Sequence, residues 1–198
     1  MNAYRIEGGI PLRGEVELSG AKNAASKMMI ASLLTEEPVV IQNVPRQQET
    51  EITQEIICTV GAKVGWRDEH TLVAQTSTIV SNSVRELSRK NRISVLALAP
   101  LLHRTGEAFV PLVGGDKIGA RPVNFHMDAL IAMGASICEQ PEWYHATVSG
   151  RLHGALIELP YPSVGATETA ILGGVLATGR TVIRNAAVEP EIMEIIKM

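Results

Sequence analysis

An internal repeat is the feature that most constrains the fold of this 198-residue chain. Residues 31–41, 99–110 and 174–183 each have the pattern of an apolar helix end followed by a β-prone segment. A second pattern, a helix that ends at a glycine before a strand, occurs at residues 60–64 and again at residues 133–137. Both patterns recur after about 70 residues, and self-similarity at a fixed spacing indicates a repeated structural unit. The chain is therefore expected to fold as three copies of one α/β unit.

Each unit is expected to mix helices and strands. Residues 54–60 and 127–133 each carry one apolar stripe and stop at a glycine, which is typical of the C-terminal end of a helix. Shorter β-prone segments lie at residues 72–74, 145–148 and 155–159, bounded by turn residues. Residues 192–198 match the helix that precedes the glycine in the earlier copies. The third copy is expected to be cut short there, either in a truncated chain or in a natural short form that another chain completes.

Composition argues against several classes of protein. A net charge of −3 without a basic block argues against a nucleic-acid partner. No stretch approaches the roughly 18 apolar residues that span a membrane, and the N-terminus has no export signal. Cys58 and Cys138 lack metal-ligand spacing, so we expect packing residues in a reducing cytoplasm. The five histidines show no metal pattern, and we expect neither a metal nor a cofactor.

Two motifs place charged side chains among small residues. Residues 19–25 contain Lys22 and Asn23, and residues 114–122 contain Asp116. Glycine and alanine let the backbone approach a ligand closely, and an adjacent cation suits a phosphate-bearing substrate. Each motif taken alone has a simpler interpretation, because a lysine at a helix start is usually a surface residue and Asn23 suits a helix cap.

Together the two motifs resemble those of the enolpyruvyl transferases that act on UDP-N-acetylglucosamine. The resemblance extends over essentially the whole chain but only about half of the family's length. It implies an N-terminal domain built as an inside-out α/β barrel of threefold repeated α/β units. Residues 1–21 are assigned either to this domain or to a second, C-terminal domain, which lies outside this sequence and is needed for activity.

The resemblance also implies roles for individual residues. Lys22 and Asn23 would contact phosphoenolpyruvate and the sugar hydroxyl, and Arg92 would bind substrate phosphates. Asp116 stands where most members have a cysteine that protonates the methylene carbon of phosphoenolpyruvate and is alkylated by fosfomycin. We therefore expect Asp116 to be the acid and the enzyme to resist fosfomycin, although the neighbouring Lys117 would lower the pKa of Asp116.

Two further segments are expected to hold the UDP-sugar. They comprise Arg121, Pro122, Val123, Asn124 and Phe125 in the first segment and Ser163, Val164 and Gly165 in the second. Asn124, Phe125 and Tyr161 depart from the usual aspartate, leucine and basic residue of the family. Ser163 read alone predicts a helix N-cap instead.

The resemblance implies transfer of the enolpyruvyl group from phosphoenolpyruvate to the 3-hydroxyl of UDP-N-acetylglucosamine, the first committed step of peptidoglycan synthesis. This piece alone is expected to be inactive, because the family has further catalytic residues in its second domain. One alternative is an enolpyruvyl transferase for a different nucleotide or for shikimate 3-phosphate. Another is a non-catalytic UDP-sugar-binding paralogue. Glu189 and Glu191 match carboxylates near the family's domain junction, but by default they predict surface charges.

Overall fold

The computed structural model describes residues 3–87, 92–113 and 123–198. Within these ranges it contains six α-helices, eight strands and two short 3₁₀ helices at Ser32–Leu34 and Ile93–Ala97. The helices are α1 (Lys22–Ala31), α2 (Gln48–Val60), α3 (Leu98–Thr105), α4 (Asn124–Ala132), α5 (Val164–Gly174) and α6 (Pro190–Lys197). The strands are β1 (Val39–Ile41), β2 (Lys63–Trp66), β3 (Leu72–Gln75), β4 (Glu107–Pro111), β5 (Ala135–Glu139), β6 (Trp143–Val148), β7 (Leu156–Glu158) and β8 (Val182–Arg184).

The first two units repeat one arrangement. In the first unit, α1 is followed by β1, α2, β2 and β3, and in the second, α3 is followed by β4, α4, β5 and β6. Each unit forms a three-stranded antiparallel sheet, in the orders β1-β3-β2 and β4-β6-β5. Gly61 and Gly134, which follow α2 and α4, have positive φ values of 125° and 96° that favour glycine. The predicted repeat and its glycine stops are confirmed.

The third unit contains β7, α5, β8 and α6. Strands β7 and β8 pair in parallel, with Leu156 opposite Val182, because α5 crosses between them. A parallel bridge from Ser83 to Phe109 places the chain before α3 beside β4 in the same way. The sheets of the three units stay separate in the described parts of the chain, and no closed barrel of hydrogen-bonded strands forms there.

The core lies between the helices, and the sheets cover it from outside. Fully buried side chains come from several helices and include Met29, Ile57, Leu98, Leu101 and Leu130. In β3 and β6, buried residues alternate with half-buried ones, so each sheet turns one face toward the helices. This layering agrees with the inside-out arrangement that the resemblance implies.

The last turn of α3 connects all three units. The Nε2 atom of His103 lies 2.8 Å from the carbonyl oxygen of Gly173 at the end of α5. Burial lowers the pKa of His103, so the neutral ring donates this hydrogen bond from Nε2. The guanidinium group of Arg104 donates to main-chain carbonyls of the first unit, those of Leu33, Thr35 and Thr76, at 3.0 to 3.1 Å. Two side chains of one helix thus donate hydrogen bonds to main-chain carbonyl groups of both other units.

Two predictions from the sequence are wrong. Cys58 on α2 and Cys138 on β5 are exposed free thiols rather than packing residues. The buried stripe of α2 passes through Ile56 and Ile57, which leaves Cys58 on the outer side. The alternative interpretation of Asn23 as a helix cap also fails, because α1 begins at Lys22 without a side-chain cap.

Residues 3–21 form neither helix nor strand. Their larger apolar side chains are almost fully exposed, with Tyr4 at 95% and Leu12 at 98%. Among the described residues, no helix combines the length and the apolar character required to cross a bilayer.

Candidate active site

A cavity of about 480 Å³ lies where the N-terminal ends of α1, α5 and α6 meet the 3₁₀ helix Ile93–Ala97. It brings together residues that are far apart in the sequence and that the sequence analysis had singled out. These are Asn23, Arg92, Tyr161, Ser163, Val164, Gly165 and Glu191. The structure therefore brings together five of the nine predicted binding residues that lie within the described ranges, namely Asn23, Arg92, Ser163, Val164 and Gly165.

Two carboxylates hold the side chains at the start of α1. Lys22 Nζ lies 3.1 Å from Glu49 Oε2, and Asn23 Nδ2 donates to Glu191 Oε1 at 3.1 Å. The Lys22 side chain nevertheless remains 54% exposed. Ser26 donates to Glu49 Oε1 at 2.9 Å, which orients that carboxylate. Glu191 is therefore a partner of Asn23 at the cavity rather than the isolated surface charge that its default interpretation predicted.

A buried lysine and a buried glutamate line the cavity beside this pair. The Lys27 side chain is 11% exposed, and its Nζ lies 3.8 Å from Glu49 Oε1. Glu168 on α5 is 2% exposed, and its Oε1 atom has no hydrogen-bond partner among the described residues. Burial raises the pKa of Glu168 to about 7, with Lys27 opposing the shift and nearby carboxylates adding to it. Near neutral pH this carboxyl is therefore close to half protonated.

His126 on α4 forms another wall. Its Nδ1 atom lies 2.7 Å from Thr169 Oγ1. Burial, assisted by the charge of Arg92, lowers the pKa of His126 to about 4, so the ring is neutral at pH 7. The ring packs directly on the backbone of Gly165. Ser163 both lines the cavity and caps α5, because its hydroxyl accepts a hydrogen bond from the Ala166 N–H at 3.4 Å.

We expect Gly165→Ala to destabilise the chain by about 1–2 kcal/mol. A Cβ atom at this position would lie 2.7 Å from Cε1 and 2.9 Å from Nε2 of His126, and the ring is held by Thr169. Urea denaturation measures the change. Gly65→Ala is the matched control, because no heavy atom lies within 4 Å of the added carbon, and it should change stability little. Equal losses in both variants would contradict the contact argument.

None of the described residues of the first predicted UDP-sugar segment lines this cavity. Phe125 packs edge-on against Tyr161, a lining residue of the cavity, with ring centroids 5.3 Å apart, and itself lines a separate cavity of about 330 Å³. Val123 and Asn124 instead line a neighbouring cavity of about 400 Å³. The predicted residues Asp116, Arg121 and Pro122, together with Lys117, lie outside the described residues.

Sequence reasoning missed three lining residues with titratable side chains: Lys27, His126 and Glu168. Helical spacing contained a signal for two of them. Lys27 follows Asn23 by one helical turn, and Glu168 follows Gly165 by one turn, so each shares a helix face with a predicted binding residue. His126 adjoins the predicted segment 121–125, but only the tertiary packing of α4 against α5 turns it toward the cavity.

The chain matches a known protein family over nearly its whole length. The family model described as EPSP synthase (3-phosphoshikimate 1-carboxyvinyltransferase) matches residues 6–198. The chain belongs to the EPSP synthase family. The match covers all three units and every described residue that lines the first cavity.

Two curated relatives of this chain have the same name. The chain is 41% identical over 197 residues to UDP-N-acetylglucosamine 1-carboxyvinyltransferase of Dinoroseobacter shibae, covering 98% of the chain and 47% of the relative. It is 43% identical over 199 residues to the enzyme of the same name from Acinetobacter baylyi, covering 100% of the chain and 47% of the relative. The chain thus spans about half the length of these relatives.

Solved structures of the EPSP synthase family share the fold. The enolpyruvyl transferase NikO from Streptomyces tendae superposes with a TM-score of 0.79 at 23% identity, covering 96% of this chain and 45% of that one. EPSP synthase from Acinetobacter baumannii gives 0.69 at 16% identity, covering 91% and 42%. At these identities the likeness supports the fold alone.

Proposed function

We propose that the whole protein transfers the enolpyruvyl group from phosphoenolpyruvate to the 3-hydroxyl of UDP-N-acetylglucosamine and releases phosphate, in peptidoglycan synthesis. The observation that carries this proposal is the cavity that gathers Asn23, Arg92 and residues 163–165 next to Lys22. The names of curated relatives at 41% and 43% identity support the choice of substrate. The low identity to EPSP synthase, 16%, gives less support to shikimate 3-phosphate.

The cavity suits a ligand that carries phosphate. Lys27 and Arg92 line it, and so do residues of the first turns of α1 and α5, the helix ends that favour anions. The amide of Asn23 can both accept and donate hydrogen bonds, so it is able to orient a sugar hydroxyl. In the proposed reaction that hydroxyl adds its oxygen to C2 of phosphoenolpyruvate and gives up its proton to a base, while an acid protonates the methylene carbon. Loss of phosphate and of one proton from that carbon then restores the double bond.

Asp116 is the proposed acid. A carboxyl delivers a proton efficiently when its pKa is raised toward neutral pH by a dry environment. In the full-length protein, Asp116→Ala should abolish turnover, measured as phosphate release, while UDP-N-acetylglucosamine still binds. Unchanged turnover would contradict the acid role. A wild-type protein that binds the UDP-sugar but shows no turnover would favour the non-catalytic paralogue.

We expect fosfomycin to leave this protein unmodified. A carboxylate attacks an epoxide far less readily than a thiolate does, and Asp116 stands where most members have a cysteine. Asp116→Cys should gain one adduct, detected by intact mass spectrometry and located by peptide mapping. The wild-type chain is the control for the exposed thiols of Cys58 and Cys138. An adduct on Asp116 itself would overturn the expectation.

We infer that activity requires a second domain supplied by the rest of the protein. Two measurements test this requirement, each on the chain alone and with the second domain added. Calorimetry measures the binding of UDP-N-acetylglucosamine, and a phosphate assay measures turnover after phosphoenolpyruvate is added. Release only in the combined sample supports the inference. Binding without release in both samples favours the paralogue, and no binding in either contradicts the proposed substrate.

The exposed free thiols of Cys58 and Cys138 suit the cytoplasmic location that we propose.

We also infer that residues 3–21 pack with that second domain. The described part of the chain leaves their apolar side chains exposed, including Ile6 at 88% and Leu18 at 83%, and such exposed apolar surface is typical of an interaction site. Removing these residues should leave the circular dichroism of the chain unchanged and prevent reconstitution with the second domain. Normal reconstitution without them would contradict the assignment.

A further inference from the structure

Glu168 is a buried carboxyl group that the proposed mechanism leaves unused. It lines the cavity from α5, with 2% of the residue exposed. Its Oε1 atom forms no hydrogen bond with any described residue. A buried polar atom without a partner is unfavourable, because it has lost its hydrogen bonds to water and gained none in return. Such an atom at the wall of a binding cavity points to a ligand as its missing partner.

Charged and polar side chains lie near Glu168, either in the lining of the cavity or close enough to affect its ionisation. They are Lys27 and Asn23 from α1, Glu49 from α2, Arg92 before the 3₁₀ helix, His126 from α4, and Glu189 and Glu191 at the start of α6. Of these, Lys27 favours the ionised form of Glu168, whereas the three carboxylates favour the protonated form. His126 is neutral at pH 7 and adds no charge.

The charge balance of the cavity depends on the proton of Glu168. The charged groups among its described lining residues are Lys27, Arg92, Glu168 and Glu191. With both glutamates ionised these charges cancel, and a proton on Glu168 leaves the lining with one net positive charge. A phosphate group in this cavity would be repelled by an ionised Glu168, whereas a protonated Glu168 can donate a hydrogen bond to it.

We propose that Glu168 contacts the bound ligand directly, donating a hydrogen bond from its protonated carboxyl to a phosphate oxygen, and that ligand binding draws the required proton from solution. This inference rests on the proposed function for its ligand class. The phosphate oxygen has two candidate sources, the diphosphate of the UDP-sugar and the phosphate that phosphoenolpyruvate carries. The raised pKa of Glu168, about 7, agrees with this role because little free energy is needed to protonate it.

Calorimetry in two buffers of different ionisation enthalpy measures the proton uptake. UDP-N-acetylglucosamine and inorganic phosphate are titrated separately into this chain, so that the two sources are distinguished. With one of them the wild-type chain should take up about half a proton per ligand at pH 7, and its affinity should fall about tenfold per pH unit at higher pH. Subtracting the variant's uptake removes the protons that inorganic phosphate itself exchanges.

The affinity of Glu168→Gln for the same ligand at pH 7 should be within about threefold of the wild-type affinity. Its binding should take up no linked proton, and its affinity should not fall above pH 7. The amide keeps a neutral donor at this position. Glu168→Ala loses the donor and should bind more weakly. Glu107→Gln is the matched control and should keep the linked proton uptake. Glu107 is a half-buried carboxyl outside the cavity, and its Oε1 atom lies 2.9 Å from Nε2 of His145.

Each other outcome has a distinct meaning. Unchanged uptake in Glu168→Gln overturns the role of Glu168 while leaving the proposed substrate intact. Binding weakened more than tenfold by Gln, with no linked proton in wild type, shows instead that an ionised Glu168 accepts a hydrogen bond from the ligand. Linked uptake with inorganic phosphate supports the role, and it contradicts the substrate if the UDP-sugar binds neither to this chain alone nor with the second domain added. Binding of neither probe in either sample overturns both.

Discussion

Replacing Arg104 by alanine is expected to lower the free energy of unfolding by about 3 kcal/mol. The Arg104 side chain is 13% exposed, and its guanidinium group donates to the carbonyls of Leu33, Thr35 and Thr76 at 3.0 to 3.1 Å. Alanine would leave these carbonyl oxygens without their charged donor at the junction between the first and second units. Hydrogen bonds to a charged group contribute more than neutral ones, and the remaining acceptors are only partly accessible to water. Urea denaturation measures the loss.

Two variants distinguish this explanation from a general effect of removing a positive charge. Arg184 lies 3.8 Å from Glu158, with side chains 63% and 69% exposed, so Arg184→Ala should cost less than about 0.5 kcal/mol. Arg104→Lys keeps the positive charge but lacks the planar guanidinium group, whose two terminal nitrogens each donate to main-chain carbonyl groups. An intermediate loss of stability is therefore expected. The ion pair of Arg104 with the 73% exposed Glu36 contributes little. Equal losses for Arg104→Ala and Arg184→Ala would contradict the argument.

The sequence predicted the repeat because its markers are local. Apolar stripes, a glycine after each helix and short β-prone segments all report on a few neighbouring residues, and the structure confirms α2, α4, β3 and β6 on that basis. The connection between units was not predictable in this way. His103 and Arg104 resemble ordinary basic residues in the last turn of a helix, and their carbonyl partners are remote in sequence.

The candidate site shows the same division. The motif around Lys22 and Asn23 and the turn at residues 163–165 stand out because small residues flank them. Glu168 does not, because a glutamate in a helix is usually solvent-exposed and only tertiary packing, in which α5 contacts α3, α4 and α6, buries it. Exposure of Cys58 was missed for the converse reason, since an apolar neighbourhood in sequence does not tell which side of a helix a residue occupies.

Glu168→Gln is expected to stabilise the chain at pH 8 by up to about 3 kcal/mol and to leave its stability at pH 4 nearly unchanged. The pKa of Glu168 is raised in the folded state from its ordinary value of 4.5 to about 7. Between these values the folded chain binds more protons than the unfolded chain, so this group lowers stability as pH rises from 4.5 to 7. Glutamine removes the titration. Chemical denaturation at several pH values measures the difference, and Glu158→Gln, an exposed carboxylate on β7, is the control.

His126, in the same cavity, changes stability with pH in the opposite direction to Glu168. The comparison of wild type with Glu168→Gln is therefore more sensitive. Its pKa is lowered from 6.5 to about 4, so the unfolded chain binds more protons there and stability is lost as pH falls through this window. In the wild-type chain the two slopes oppose each other between pH 4.5 and 6.5 and largely cancel. In Glu168→Gln the slope from Glu168 is removed, so stability should rise with pH over that range more steeply than in wild type, by about 1.4 kcal/mol per unit at most. Parallel pH profiles for wild type and Glu168→Gln would show that the carboxyl is not buried in the folded chain.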